Sequence, residues 1–283
     1  MRRSFTFAAV LMLSALAAVP AGAQVEPFQG FRYQPDRVPL GRAYHYLKTN
    51  IDGTKPEHVS ILLKARHRIE SFKFHPGEEP AGLVTADMDW SVFSVRRIES
   101  WQVFADGTRK LAAKLEALDG GKRVRVELPM LDKPAATAAT GEPVEIGRLP
   151  WHIYNFDLAS LGFTLPHLVD PTGRFTIGIA DPNFGPEGPV FGYKGEAEVA
   201  YVGEETRNGV LCRKYRIDGP GLQNRGGFLW TNHAEGHIED IEIALPDNPD
   251  WQSFKFRLTG VETMDRAAWE RFQREKIQPP PAK

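Results

Sequence analysis

The sequence predicts a mainly β protein: a large curved antiparallel sheet, as a half-barrel or a sandwich, with a short central helix and a C-terminal helix. Three observations carry this. Apolar and polar residues alternate along much of the chain, turn signals separate the alternating runs, and no strand–helix–strand rhythm occurs. Period-two alternation puts every second side chain on one face, as a sheet with one buried side requires.

The runs follow in order. Ala43–Ile51 and His58–Lys64 are strand-like, with the hairpin signal Asp52–Gly53 between them. Ser91–Phe104 is a long run closed by the turn Ala105–Thr108. After the turn Asp119–Gly121, Val124, Val126 and Leu128 oppose Arg123, Arg125 and Glu127. Gly173–Ala180, Gly195–Val202, Val210–Ile217 and Ile238–Leu245 continue the pattern, and Arg207–Gly209 is a further turn. Gln252–Gly260 sets Phe254, Phe256 and Leu258 against Lys255 and Arg257.

Two stretches read as helical. Phe156–Gly162 makes one or two turns, with Asp157 as cap and Gly162 as stop. Thr263–Lys276 is the longer helix: Asp265 caps it or sits in its first turn, Trp269 and Phe272 share a face that packs on the sheet, and the prolines beyond end it.

These elements divide the chain into a leader at 1–23, a β half at 24–131, a linker or long loop at 132–147, and a second β half at 148–262. The C-terminal helix (263–276) and a proline-rich tail (277–283) complete it. The linker assignment rests on "DKPAATAATGEP", which has no apolar pattern.

The N-terminus predicts export. Arg2 and Arg3 precede an uncharged apolar run, and Ala21 and Ala23 supply the small-x-small pattern that signal peptidase accepts. With the leader removed after Ala23, no stable membrane span is expected, and the chain belongs to the periplasm or outside. Loss of the two arginines moves the formal net charge from −1 to −3, so no global charge draws the protein to nucleic acid. The one cysteine, Cys212, sits mid-strand, cannot form an internal disulfide, and reads as a buried inert thiol.

Most residues able to carry chemistry also have a plainer role in this sequence. His233 and His237 are four apart, but strand-like flanks remove the helical facing that a metal pair needs. The stretch is therefore a hairpin turn closed by Gly236, and no metal or cofactor is assigned. The acids of "DNPDW" (Asp247–Trp251) belong to a turn. Asp87 and Asp89 share a side of an extended strand, the least poor acid pair for a hydrolase, yet no catalytic residue is assigned. No nucleophile elbow or phosphate-binding glycine loop occurs.

The aromatic residues carry more. In a closed sandwich they are core; in a curved, open sheet they line a concavity able to hold an acyl chain. Arg96 and Arg97 interrupt one such run, so simple alternation sends one of them to the apolar side. There it pairs with Glu99 or meets an anionic head group. Arg96, Arg97 and Trp101 are accordingly the predicted ligand-binding residues.

The stretch "GVLCRKYRIDG", then "GGFLWTN", the "HAEGH" turn and "IEDIEIALPDNPDWQSFKFRLTGV", resembles the closing hairpins of uncharacterised secreted or periplasmic β-rich proteins of Gram-negative bacteria. More distantly it is similar to the half-barrels of lipoprotein carrier proteins, though this chain is longer and lacks several plugging helices. The resemblance implies no particular functional residues. The expectation is a non-enzymatic periplasmic or envelope protein that binds a lipophilic small molecule or an envelope component. The alternatives are an envelope hydrolase using paired acids, or an adaptor pairing through its sheet edges.

Overall fold

The computed structural model describes residues 28–129, 138–183, 190–244 and 250–278. The predicted leader, most of the proline-rich tail and positions 247–249 of the turn expected at Asp247–Trp251 lie outside the described residues.

The first half supplies β1 (Arg42–Asn50), β2 (Glu57–Ala65), β3 (Arg68–Phe74), β4 (Ala81–Asp89), β5 (Ser94–Val103), β6 (Arg109–Leu118) and β7 (Arg123–Pro129). Three short strands, β8 (Ala138–Thr140), β9 (Val144–Glu145) and β10 (Trp151–Ile153), lead to helix α1 (Ala159–Thr164). The chain continues with β11 (Arg174–Pro182), β12 (Phe191–Arg207) and β13 (Val210–Asp218). It closes with β14 (Gly227–Asn232), β15 (Ile238–Ala244), β16 (Ser253–Thr263) and helix α2 (Arg266–Ile277).

All the strands belong to one sheet. Its order runs from β10 to β16, then from β1 to β8, with β9 also on β7. The two halves join where β16 pairs antiparallel with β1, Val261 opposite Tyr44. The stretch expected as a linker contributes β8 and β9 to this sheet. The mainly β prediction holds, with one correction: the sheet is mixed. β10 runs parallel to β11, Trp151 opposite Gly178. The chain leaves β10 through α1, and such a crossover returns the next strand in the same direction.

The sheet curls until its edge strand β10 reaches β5, but among the described residues no ladder closes it. The backbone N–H of Trp151 donates to Ser94 Oγ at 2.9 Å, and its indole N–H donates to the Gly121 carbonyl at 3.0 Å. One apolar core fills the concave side, combining Tyr46 and Ile61 with Ile177 and Ile241 around Leu158 and Leu161. α1 therefore lies inside the curl. Its start departs from the sequence reading: Leu158 is the N-cap, no side chain caps it, and the helix runs through Gly162 to Thr164.

α2 covers the convex face of the first strands. Trp269 and Ile277, both fully buried, pack with Phe72 and Leu83, and the Trp269 indole donates to Glu70 at 2.8 Å. Ile277, assigned to the tail from sequence, is the last anchored residue of the helix. Asp265 caps α2 as predicted, accepting from the Ala268 N–H at 2.7 Å. Asp265→Ala should cost about 1 kcal/mol in urea unfolding, with Asp265→Asn restoring most of it.

Candidate ligand-binding cleft

The predicted ligand residues all lie on β5 but do not assemble into a site. Arg96 and Arg97 are both exposed. The reason is a bulge: Asp87 pairs with Arg97 and Met88 with Val95, leaving Arg96 as the extra residue. The extra residue breaks strict alternation, so neither arginine faces the apolar side. Arg97 pairs with Glu99, one of the two outcomes expected. Trp101 is half-buried and packs on the cluster beneath α2, on the convex face. The other candidates are also engaged. Arg68 holds Asp87 (3.0 Å), Asp89 accepts from the Ser91 hydroxyl (2.6 Å) and N–H, and burial pushes the Cys212 thiol up to about 11.

The "HAEGH" stretch is a hairpin turn between β14 and β15. Asn232 organises it: its side-chain oxygen accepts from the N–H groups of Ala234 and Glu235, both at 3.0 Å. Gly236 closes it at φ +80°, and a Cβ there would stand 3.1 Å from Pro166 Cα. The two imidazoles take separate carboxylates. His233 meets Glu204 (2.9 Å), whereas His237 lies between Glu235 (3.2 Å) and Glu239 (3.0 Å). Among the described residues, no group of three or more His, Cys, Asp and Glu is placed to hold a metal.

The close approach of that turn to Pro166 shapes one end of the curled sheet. After α1 the chain makes a 3-10 turn, Leu165–His167, and crosses this end to β11. The N-terminal segment pairs with the crossing: Phe31 bridges Leu168, and the Arg32 N–H donates to the His167 carbonyl at 2.9 Å. His167 is locked beneath, accepting from the Gln34 N–H at 3.2 Å and ringed by Tyr33, Trp90 and Phe93. Burial, then the nearby Arg37 charge, lowers its pKa to about 4.

Between this crossing and β13–β14 lies a cleft of about 380 Å³. Arg32, Arg37 and Arg213 face Leu165, Leu168 and Val169 across it, and its lining contains no carboxylate. None of the three arginines has an ion-pair partner among the described residues. Glu204, opposite Arg213 in the ladder, is taken by His233. The Arg37 guanidinium donates, among the described residues, to the Pro166 carbonyl (3.3 Å), and the Arg32 Nε is buried without a hydrogen-bond partner. A second cleft of about 380 Å³ adjoins the first, sharing Arg37, Pro166 and Ala234, and reaches Tyr44 and Phe163.

Deeper inside, α1 is preceded by a buried ion cluster. Asp157 meets Lys73 at 2.7 Å and Lys48 at 3.2 Å, and Lys48 also meets Glu57 at 2.9 Å. Burial alone would raise the Asp157 carboxyl, but Lys48 and Lys73 outweigh it and hold it below the usual carboxylate range. Asp157 and Leu158 both have left-handed backbone, φ +52° and +51°. A smaller apolar groove of about 180 Å³ opens along the seam, lined by Ile98, Leu115, Val126, Ile153 and Phe191.

No protein-family model matches the chain, and no curated protein matches it. Among solved structures it is similar to a β-barrel-like protein of domain of unknown function DUF1849 from Brucella abortus. That likeness has 9% identity and a TM-score of 0.37, over 80% of this chain and 98% of that one. At this level it adds nothing to the architecture described above.

The cleft arginines were missed from sequence because they come from two distant stretches, around residues 32–37 and at Arg213, and form no motif. A faint signal existed: Arg32 and Arg37 stand in "RYQPDR", a proline-containing segment ahead of the first strand.

Proposed function

We propose that this chain is a non-enzymatic binding protein of the Gram-negative cell envelope, holding an amphiphile with an anionic head group. The envelope assignment draws support from the leader-like N-terminus. The observation that carries the binding reading is the set of three arginines without carboxylate partners, set against an apolar wall. Guanidinium groups match carboxylate and phosphate geometry, so unpaired arginines in a shared cleft attract an anion. The facing leucines and valine favour an apolar portion beside it. Catalysis finds less support. The buried His152–Ser160 pair (2.9 Å) is fully enclosed, and its histidine has a pKa lowered by burial to about 3.

Titration with a fluorescent long-chain fatty acid or alkyl phosphate tests the reading. Changing Arg32 or Arg213 to Gln should weaken binding about tenfold or more, the scale of one charge-assisted hydrogen bond. Unchanged affinity in both variants would overturn it. Loss of binding on Ile98→Asp instead would move the site to the seam groove.

A further inference from the structure

The two surface clefts continue inward. The second shares Tyr44, Gly162, Phe163 and His237 with a slit of about 20 Å³ that ends at Asp157. The walls of this slit include Tyr46, Ile61, Ile238 and Phe256, all buried. Tyr44 and Phe163 meet edge to face at its entrance, ring centroids 6.0 Å apart, and His237 lies 5.1 Å from the Tyr44 ring. A line of shared walls thus runs from the arginine cleft, through the second cleft with its Asp36, Arg42 and Glu235, past the buried Tyr44 and Phe163 rings, into an apolar slit.

We infer that the guest's tail threads this line between α1 and strands β1, β15 and β16, and that Gly162 and Phe163 set the tail length accepted. The inference rests on the reading that an anionic amphiphile occupies the arginine cleft. Gly162 is the narrow point: a Cβ there would stand 3.2 Å from Ile238 Cδ1, so any side chain enters the slit. Phe163 is the gate, because its ring lines both the second cleft and the slit. The floor is polar. Asp157, clasped by Lys48 and Lys73, gives a methyl terminus nothing to gain by going further. Affinity should therefore rise with tail length and then stop.

The test is a calorimetric series of straight-chain alkyl phosphates of increasing length, with inorganic phosphate as the tailless member. In the unaltered protein each added methylene should tighten binding about fourfold until a plateau is reached. Gly162→Val should abolish the length dependence, and Phe163→Ala should shift the plateau to longer tails. A length-independent series in the unaltered protein would overturn the inference. So would a Gly162→Val protein that keeps its slope. If Gly162→Val does not fold, Phe163→Ala decides alone: an unmoved plateau overturns the inference. Should binding depend on Arg213 while the length dependence ignores Gly162 and Phe163, only the tail path falls. Should no alkyl phosphate or inorganic phosphate bind at all, the arginine-cleft reading falls first.

Discussion

Changing Asp157 to alanine is expected to destabilise the fold by about 3–5 kcal/mol, because it leaves the buried Lys73 without a carboxylate and the buried Lys48 with one of its two. Lys48 and Lys73 project from the concave faces of β1 and β3, and their side chains are 4% and 14% exposed. Lys48 would keep Glu57, and Lys73 would keep only the Asn155 carbonyl (2.8 Å). The left-handed backbone at Asp157 adds to the effect, since alanine tolerates φ +52° less readily than aspartate or asparagine. Asp157→Asn should therefore cost less than alanine and still more than a surface change. Urea unfolding of the two variants checks the order. A loss below about 1 kcal/mol for the alanine variant would show that the cluster is not the pin that fixes α1 inside the curl.

Acid should loosen the same interior. His152 and His167 are both buried and neutral, with pKa values lowered by burial to about 3 and about 4. In the unfolded chain each returns to its ordinary value near 6.5. The folded pKa lies below the unfolded one, so this stability is present above the unfolded value and drains away as pH falls toward the folded one. Between about pH 7.5 and about pH 5 the two histidines together should remove on the order of 4 kcal/mol. Urea midpoints across that interval measure the effect, and His167→Gln should roughly halve the slope. A flat profile would mean that neither imidazole is enclosed.

Much of the wall was readable beforehand, and the reason is mechanical. Where one face of a strand meets the core and the other meets water, alternation is forced, as in β7, β13 and β16. Where composition opposed the outcome, no strand was expected. β6 is "RKLAAKLEAL", rich in good helix formers, yet it pairs on both sides with β5 and β7. Neighbouring strands override local preference there. The hairpin at His233–His237 was readable because its turn chemistry is local, and Asp265 was readable for the same reason.

The site was not. Asp157 looked like a helix cap because sequence shows its neighbours and hides the lysines that reach it from distant strands. Arg96 and Arg97 looked like opposite-facing residues because a bulge leaves no mark in the letters. Arg32, Arg37 and Arg213 meet only through the crossing of 165–171 over one end of the sheet.

A cylinder zipped shut by amide rungs has a girth set by strand number and stagger. Here the final juncture is a tryptophan leaning on a serine hydroxyl and a glycine carbonyl. Among the described residues no ladder fixes the girth at that juncture, and parting those two hydrogen bonds would leave every rung between the strands intact.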